Sequence, residues 1–502
     1  MSALLAFGLA AIAFVPLDDR PVTLAMPVML GRIAGVAVDT PPRALLGRFL
    51  QPGQPDAVMA WLNREAARRR PDAYVVSTDM LAYGGLVASR VPNATYADAV
   101  SRLRELAHLR VRAPRSWIAA YGTIMRLAPT GTPPGTPYFA PYPIWSYLQQ
   151  YANLHDPPLP DEAAHAAQLR ASIGAATFDA YLATRARNLA VDRLLVSMTA
   201  AGTIDRLVLG QDDAGPIGLH VAEVALLQRE ASGLPERATV EPGADELGAA
   251  LVAHALAHRA GWQPRIAVRY STPNGAAYQD PIEYAPVSTA IEALIGVCGG
   301  VTDDADPQIV LYVRVPDTSP AQDDAFVAAM GEDIAAGRSV ALADLSYLVS
   351  YPQQATFARR ILASGLAARL DAYASWNTNA NTAGTALAES IATLAGRRLG
   401  TYDDLAHRTL TFVRFLDDYA FHDIVREDLN ATLVAEGIAD HTLLTPEVAS
   451  ALAQRDRALL WYYADRILPQ LDPGYHLAGI STGLPWSRTF ETSVDVAIAP
   501  NL

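Results

Sequence analysis

Two pairs of consecutive aspartates follow apolar, strand-like runs and are the residues best suited to catalysis. Asp18-Asp19 follows the run AFVPL, and Asp212-Asp213 follows RLVLG and Gln211. Neighbouring carboxylates repel each other, so one can keep its proton near neutral pH while the other is ionised. Cleavage of a glycosidic bond needs this division, because one group protonates the leaving oxygen and another stabilises the developing cation. The structural alternative is a strand-end cap with an arginine partner.

The second pair favours a mechanism in which the substrate takes part. Adjacent side chains on a strand point to opposite faces, so both carboxylates reach one ligand only if the chain turns at Asp213. Gly215 and Pro216 favour such a turn. Residues this close are ill suited to flank a sugar as nucleophile and acid. They suit attack by a 2-acetamido group on the anomeric carbon, with Asp212 orienting the acetamido N–H and Asp213 acting as general acid and base.

Other polar, glycine and aromatic residues after strand-like runs, or near the chain end, are predicted to bind the substrate. They are Asp18, Asp19, Arg20, Asp79, Tyr83, Gly84, Gly85, Arg90, Gln211, Asp245, Glu246, Trp376, Asn377, Asn381, Trp486 and Arg488. Structural alternatives remain for several of them. Arg20 can pair with the adjacent aspartates, and Arg90 with Asp79. The segment WNTNANT can be a turn with a helix cap, and the tail around Trp486 a docking strap.

A metal site is the chief rival interpretation. Acidic residues at the run ends could gather as an oxygen site for Mg²⁺ or Mn²⁺; they are Asp18, Asp79, Asp212, Asp213, Asp245 and Glu246. His254 and His258 have helical spacing, but no Glu follows His254 as in HExxH. We therefore expect no metal and no cofactor. A non-catalytic carbohydrate-binding protein is a third possibility.

Composition excludes several classes of chemistry. The sequence contains no lysine, so its 39 basic residues are all arginine, and Schiff-base or Walker-type lysine chemistry is excluded. Its single cysteine, Cys298, lies in an apolar run and is predicted to be core. The net charge of -13 argues against nucleic-acid binding. The expected partner is a small-molecule or oligosaccharide substrate, with no nucleic acid and no membrane span; the sequence leaves the oligomeric state open.

The elements that must position these residues are nine strand-like runs alternating with helical stretches. The runs are 13–17, 73–78, 117–122, 206–210, 238–242, 265–270, 309–315, 339–344 and 372–376. Continuous apolar, β-branched runs are typical of parallel strands buried on both faces, so the fold class is α/β. Polar groups at the run ends favour a (β/α)₈ barrel-like sheet with a helical C-terminal extension. An open doubly wound sheet is the alternative.

The domain prediction is a barrel-like catalytic domain over 14–400, with an insertion at 127–200, and a helical region at 401–502. The insertion is rich in proline and aromatic residues, which suit either stacking on sugars or packing over the barrel rim. The apolar N-terminus is either a buried first strand or a signal peptide. We favour the strand and a cytoplasmic protein; a signal peptide at residues 1–13 would make the protein periplasmic or secreted.

The chain as a whole resembles a bacterial family known only as a domain of unknown function. The resemblance rests on PLDDRP, STDMLAYGGLVASR, LGQDDAG, PGADE, SWNTNANTAGT and PWSRTFE, and runs from about residue 14 to residue 492. It implies a single functional unit but no particular reaction.

A narrower resemblance concerns two short segments. A strand that ends in Asp212-Asp213, followed much later by Trp376-Asn377, is similar to the barrel β-N-acetylglucosaminidases of the O-GlcNAcase type. That resemblance implies Asp212 as the acetamido partner, Asp213 as the acid/base, and Asn377 or Asn381 as a hydroxyl binder. Lysine-bearing sugar-binding features of that family have no counterpart here.

Overall fold

The chain forms two structural units. A computed structural model describes residues 11–127, 129–132, 140–346, 351–438 and 441–501. The first unit reaches Leu256 and also includes Pro281–Ala285, whereas the second contains Ala257–Asp280 and the chain from Pro286 onward.

Apolar runs, most of them buried on both faces, form the main sheet of the first unit. The strands of the first unit are β1 Ala11–Val15, β2 Ala37–Asp39, β3 Ala73–Ser77, β4 Trp117–Ile124, β5 Gly131–Thr132, β6 Ala140–Pro141, β7 Arg206–Gln211 and β8 Ala238–Pro242. Six of them make one parallel sheet in the order β2-β1-β3-β4-β7-β8, and β5 pairs with β6 separately. Because all six run in one direction, their carboxyl ends meet at one edge, here called the first edge.

The helices of the first unit pack on this sheet or on one another. They are α1 Met26–Ala34, α2 Pro55–Arg68, α3 Thr78–Tyr83, α4 Leu86–Ser89, α5 Tyr96–Arg112, α6 Tyr142–Ala152, α7 Ala163–Ile173, α8 Ala175–Ala200, α9 His220–Ala231 and α10 Leu247–Arg259. Leu103, Ile118 and Leu195 are among the fully buried residues that join helices to strands. A five-residue π-helix, Pro21–Ala25, directly follows Arg20, and a 3₁₀ turn occupies Arg43–Leu45.

The second unit contains a smaller parallel sheet. The strands of the second unit are β9 Arg265–Tyr270, β10 Val301–Thr302, β11 Ile309–Arg314, β12 Ser339–Asp344, β13 Ala372–Ala374, β14 Tyr475–Gly483 and β15 Ser493–Pro500. The order β10-β9-β11-β12-β13 repeats the order of the first five strands of the other sheet. Its carboxyl ends form the second edge. Strands β14 and β15 pair antiparallel as a separate hairpin.

The second unit is rich in helix towards its C-terminus. Its helices are α11 Val287–Val297, α12 Pro320–Ala335, α13 Tyr351–Ala363, α14 Asn379–Leu399, α15 Asp404–Arg414, α16 Arg426–Ala435 and α17 Pro446–Leu471, with an 11-residue π-helix at Phe415–Val425. Short 3₁₀ turns lie at Gly275–Ala277, Ala367–Arg369 and Pro485–Ser487. No helix in the described part of the chain is both long and apolar enough to cross a membrane.

The predicted α/β class with parallel strands is confirmed. All nine predicted runs contain a strand, five in the first unit and four in the second. A closed eight-stranded barrel is not detected among the described strands, whose two sheets have the linear orders of open, doubly wound sheets. The barrel preference rested on polar strand ends, and these also occur at the carboxyl edge of an open sheet. The region after residue 400 is mainly helical but ends in the β14–β15 hairpin.

Two predictions fall partly outside the described residues. Ala11-Ile12-Ala13, the end of the candidate signal peptide, lies within β1, which pairs with strands on both sides. Residues 1–10 are outside the described part, so the signal-peptide alternative stays a prediction. In the insertion, 133–139 are likewise outside it, and the remaining aromatic residues include Trp145 and Tyr151, which pack in a small core with Phe178.

Candidate functional site

Five strands of the first sheet place charged side chains at the first edge. Asp18 and Arg20 follow β1, Asp79 follows β3, and Arg126 follows β4. Asp212 and Asp213 come directly after β7, and Asp245 follows β8. After β1, the next strand β2 is added on one side of it, whereas β3 and the later strands are added on the other side. The strand order therefore has a switch point between β1 and β3, and ligands bind open α/β sheets at the carboxyl ends of the strands beside such a point. The first edge is therefore the candidate site.

Arg20 joins the loop after β1 to the loop after β8. Its Nε and Nη2 donate to the two oxygens of Asp18 at 3.0 and 2.8 Å, and Nη1 and Nη2 donate to Asp245 at 2.9 and 2.5 Å. The hydroxyl of Thr23, in the π-helix, donates to Asp18 at 2.6 Å. All three charged side chains are buried. The predicted ion-pair role of Arg20 is thus present, but it extends to Asp245 as well.

The start of α10 brings Asp245 close enough for this pairing. Gly248 lies in the first turn of α10, and a Cβ there would stand 2.9 Å from Phe14 Cζ and 3.0 Å from the Tyr121 hydroxyl. Phe14 belongs to β1 and Tyr121 to β4, so the absence of a side chain lets the helix lie close to these strands. This close approach keeps the Asp245 carboxylate within reach of Arg20.

Asp212 is held in a buried ion pair. Arg90 Nη2 donates to Asp212 Oδ2 at 2.5 Å, and both side chains are almost completely buried. The Asp212 N–H donates to the carbonyl of Ile124, and the Gln211 amide donates to the Asp212 carbonyl at 2.6 Å. Arg90 therefore pairs directly with Asp212 rather than with Asp79, and Gln211 supports the turn after β7.

Asp213 lies in a different environment from its neighbour. Its side chain is 38% exposed, and Arg126 Nη1 stands 3.5 Å from Oδ2. Partial burial and the adjacent Asp212 charge raise the pKa of Asp213 to about 6, although Arg126 and Arg90 oppose the rise. The pair thus combines a buried carboxylate in an ion pair with an accessible carboxyl that can hold a proton near neutral pH.

Asp79 is a second carboxyl that can be protonated at this edge. It lies in the first turn of α3, whose N-cap Ser77 accepts the Met80 N–H at 3.2 Å. Its Oδ2 accepts the N–H of Thr123 at 2.8 Å. Burial raises the pKa of Asp79 to about 7, and the charge of Asp212 contributes to the rise. Asp79 and Asp212 are therefore electrostatically coupled.

Other predicted residues of the first unit have structural contacts. Asp19 accepts a hydrogen bond from Arg43 at 3.1 Å, and the Arg187 guanidinium lies 4.3 Å from the centre of the Tyr83 ring. Glu246 is buried and accepts the N–H of Ala244, and burial raises its pKa well above the usual range.

Gly84 and Gly85 allow two parts of the chain to approach each other. Both have positive φ, 94° and 120°. A Cβ on Gly84 would lie 2.8 Å from the backbone nitrogen of Gly53, and one on Gly85 would lie 3.1 Å from the carbonyl of Leu17. Binding of a ligand by these glycines stays a prediction.

The remaining predicted residues belong to the second unit. Trp376 is 5% exposed, and its indole N–H donates to Thr385 at 3.1 Å. Thr378 is the N-cap of α14 and accepts the N–H of Asn381, while Asn377 has a left-handed backbone with φ 54°. The segment therefore contains a turn with a helix cap, and a sugar-binding role for Trp376, Asn377 and Asn381 stays a prediction.

The tail residues also have local partners. Trp486 is buried, and the Arg488 guanidinium lies 4.4 Å from the centre of its ring. Arg488 also pairs with Glu491 at 2.7 Å. A sugar-binding role for these two residues stays a prediction.

The carboxylates of the first edge do not gather in the manner of a metal site. Among the described residues, three potential ligand atoms lie within 4.8 Å of one another at Asp417, Asp418 and His422, in the second unit. Arg414 donates to Asp417 and lies 3.2 Å from Asp418, and His422 Nδ1 lies 3.0 Å from the Asp417 carbonyl. A guanidinium therefore already compensates these two acids.

Arg126 is the candidate residue that our sequence analysis missed. The predicted run ended at Gly122, whereas β4 continues to Ile124 and places Arg126 two residues beyond the strand. The same strand-end rule, applied to the full apolar stretch WIAAYGTIM, would have identified it.

The comparisons with known proteins agree with the broader of the two resemblances. The family model described as "Protein of unknown function (DUF4127)" matches residues 12–495. A search of curated proteins finds no match. Because the match covers nearly the whole sequence, from β1 into β15, the chain belongs to the DUF4127 family.

Proposed function

We propose that this protein is a glycoside hydrolase that acts on a 2-acetamido sugar, with Asp213 as general acid and base and Asp212 as partner of the acetamido group. The observation that carries the proposal is the contrast between two consecutive carboxyls at the first edge. One is buried against Arg90, and the other is accessible with its pKa raised to about 6.

Asp213 supplies the proton in this scheme. Its carboxyl is partly exposed, so it can approach the glycosidic oxygen of a bound substrate. A general acid works best when its pKa lies near the working pH, because it then holds a proton and still releases it. After the first step the Asp213 carboxylate takes a proton from the attacking water. Arg126, 3.5 Å away, stabilises the carboxylate between these steps.

Asp212 supplies the negative charge. The Arg90 pair fixes the orientation of its carboxylate, and the Gln211 amide fixes the backbone beside it. A fixed carboxylate can accept the acetamido N–H and direct the acetamido oxygen towards the anomeric carbon. It also stabilises the positive charge that develops on the acetamido group as the glycosidic bond breaks.

The adjacency of the two residues favours substrate assistance over a protein nucleophile. In retaining enzymes that use a protein nucleophile, the nucleophile and the acid are carboxyl groups about 5–5.5 Å apart; in inverting enzymes the second carboxylate is a general base about 6.5–9.5 Å from the acid. Consecutive residues that follow one strand are too close together to flank a sugar ring from its two sides. The nucleophile then has to come from the substrate.

The test is hydrolysis of a panel of aryl glycosides by the wild type, Asp212→Asn and Asp213→Asn, each with and without chelator. We expect cleavage of an N-acetylhexosaminide that is insensitive to chelator and falls by about 10²–10⁴-fold in Asp213→Asn. Asp304→Asn is the matched control, because Asp304 forms an exposed pair with Arg269 in the second unit.

Three outcomes would contradict the proposal. Absence of cleavage of every glycoside would remove the hydrolase assignment. Activity that disappears with chelator would favour metal-dependent chemistry at the acidic residues. Sugar binding without turnover, unchanged in Asp213→Asn, would indicate a carbohydrate-binding protein instead.

A further inference from the structure

We propose that the segment Pro281–Ala285, here called the latch, holds the turn after Asp213 at neutral pH and releases it at alkaline pH. The residues before and after the latch along the chain belong to the second unit, whereas the latch itself is part of the first unit. Its opening is measured without substrate, so this proposal and the hydrolase proposal can fail independently.

The latch contacts the turn directly after the candidate acid. The Ala214 N–H donates to the Ile282 carbonyl at 2.9 Å. At Gly215 a Cβ would stand 2.9 Å from the Pro281 carbonyl, so the two backbones lie against each other there. Because Ala214 follows Asp213 in the chain, the latch helps to fix the backbone that carries the Asp213 side chain.

The latch buries a carboxyl group more deeply than its isoleucine. Glu283 is 3% exposed, whereas Ile282 is half-buried. The neighbouring Tyr284 ring makes an edge-to-face contact with His220 of α9, with 6.1 Å between the ring centres. A buried carboxyl group is far less costly as the neutral acid than as the anion. The free energy of the closed latch therefore depends on the charge of the groups around Glu283.

Two further glutamates are buried beside the latch. Glu241, near the end of β8, and Glu246, just before α10, are each 1% exposed. Neither oxygen of Glu241 has a hydrogen-bond partner among the described residues, and the same is true of Oε1 of Glu246. Glu246 interacts electrostatically with both Glu241 and Glu283, and Tyr284 interacts with the same two glutamates. The three carboxyl groups therefore repel one another when they are ionised.

Burial favours the protonated form of this cluster. It raises the pKa of Glu241 to about 8, although the charge of Arg206 on β7 opposes the rise. Burial also raises the pKa of Glu246 well above its usual range, and the charges of Glu241, Asp245 and Glu283 add to the rise. At neutral pH the closed latch therefore lies beside carboxyl groups that hold protons.

The other titratable groups that face the cluster do not explain a change near pH 8. Asp245 is paired with Arg20 at 2.5 Å. Burial lowers the pKa of His220 to about 4, so its ring is already neutral at pH 6. Burial raises the pKa of the Tyr284 hydroxyl above its usual range, so that group stays neutral as well. The carboxyl group that is expected to ionise near pH 8 is that of Glu241.

Ionisation favours the open latch. A glutamate exposed to water has a pKa of about 4.3, so Glu241 would be ionised above pH 6 once the latch is open. The open state then binds fewer protons than the closed state, and the opening equilibrium rises by up to about tenfold for each pH unit below the closed-state pKa. The latch is suited to local opening, because it lies outside the helices and strands and Pro281 is exposed.

The experiment is hydrogen exchange of the full chain from pH 6 to pH 9, with mass spectrometry of peptides that contain the latch or Ala214. After correction for the pH dependence of the intrinsic exchange rate, we expect protection of both peptides to fall by about tenfold per pH unit between pH 6 and pH 8. Glu241→Gln has no proton to lose there and should flatten this dependence. Glu236→Gln is the matched control, because Glu236 is exposed and lies just before β8.

Constant protection of the latch over this pH range would overturn the proposal, and that result requires no variant. An unchanged pH dependence in Glu241→Gln, or an equal flattening in both variants, would overturn it too. If peptides from β1 and β4 lose protection at the same pH as the latch, the first unit unfolds as a whole and the latch does not open by itself. That outcome would also overturn the proposal.

Discussion

The carboxyl edges of the two sheets share one strand order but differ in the exposure of their charges. At the first edge, Asp213 after β7 is 38% exposed. At the second edge, Arg314 ends β11 and Asp344 ends β12, and their side chains are 2% and 0% exposed. Asp418, which accepts the N–H of Ser375 after β13 at 2.7 Å, is also completely buried.

The longer π-helix contributes to the burial of charges at the second edge. Residues Phe415–Val425 are buried almost throughout, and this helix supplies Asp418 to the end of β13. The first unit has a shorter π-helix, Pro21–Ala25, which supplies a hydroxyl from Thr23 to Asp18. The same topology therefore carries a partly exposed carboxyl at one edge and buried charges at the other, so a shared fold does not imply a shared role for the two edges.

The largest effect on stability is expected from replacing Arg314, the buried cation of the second edge. Arg314 donates to Asp323 at 2.8 Å, to Asp344 at 3.2 Å and to Ser346 at 2.7 Å, and it packs on Phe357. Arg314→Met leaves two buried carboxylates without a counter-charge. We expect a loss of about 3–5 kcal/mol in the free energy of unfolding, measured by urea denaturation.

Arg265→Met provides the comparison within the same sheet. Arg265 begins β9 and pairs with Asp306 at 2.6 Å, but the two side chains are 37% and 82% exposed. Exposed pairs contribute about 0–1 kcal/mol, so this variant should be close to the wild type. Equal effects of the two substitutions would show that the second edge is not a closed structural network.

The next effect concerns the pH dependence of stability. Asp423, in the π-helix, is 8% exposed, and neither of its oxygens has a hydrogen-bond partner among the described residues. Burial and the nearby charges of Asp344 and Asp418 raise its pKa to about 9. Between the ordinary pKa of an aspartate and this raised value, the folded state binds more protons than the unfolded state. The free energy of unfolding therefore falls as the pH rises through that range.

Asp423→Asn removes that dependence. Between about pH 5 and pH 8 we expect the free energy of unfolding of the variant to fall less steeply than that of the wild type, by up to about 1.4 kcal/mol per pH unit. Asp428→Asn is the control, because a hydrogen bond from Arg455 lowers the pKa of Asp428 and its effect lies at more acidic pH. Parallel pH profiles for Asp423→Asn and the wild type would contradict a protonated, buried Asp423.

The strands were predictable, whereas their grouping was not. Runs such as IVLYVR are apolar on both faces, and this pattern identifies a buried parallel strand without knowledge of its neighbours. Strands β2 and β10 have only three and two residues, too few to show a pattern. Periodicity describes one strand at a time, so it could not divide nine runs between two sheets.

The same limit applies to the candidate site. The strand-end rule identified the acids at the first edge, but pairing depends on contacts between distant parts of the chain. Arg20 reaches Asp245, which is 225 positions away, and Arg90 reaches Asp212, 122 positions away. Nothing local in the sequence distinguishes these partners from Asp79, so the roles of the two arginines remained open until the fold was known.

Arg126→Gln, at the first edge, is expected to have the smallest effect on stability but a specific effect on the pH dependence of activity. Arg126 lies 3.5 Å from Asp213 and is itself partly exposed, so its loss should cost at most about 1 kcal/mol of stability. Its positive charge favours the ionised form of Asp213, so its removal raises the pKa of that carboxyl further. If Asp213 is the proton donor, the alkaline limb of kcat/KM moves to higher pH, by on the order of 0.5–1 pH unit.

Arg43→Gln, which removes the exposed partner of Asp19, should leave that limb unchanged. A limb that moves to lower pH, or that moves equally in both variants, would separate Asp213 from the proton transfer and remove the functional contrast between the two edges.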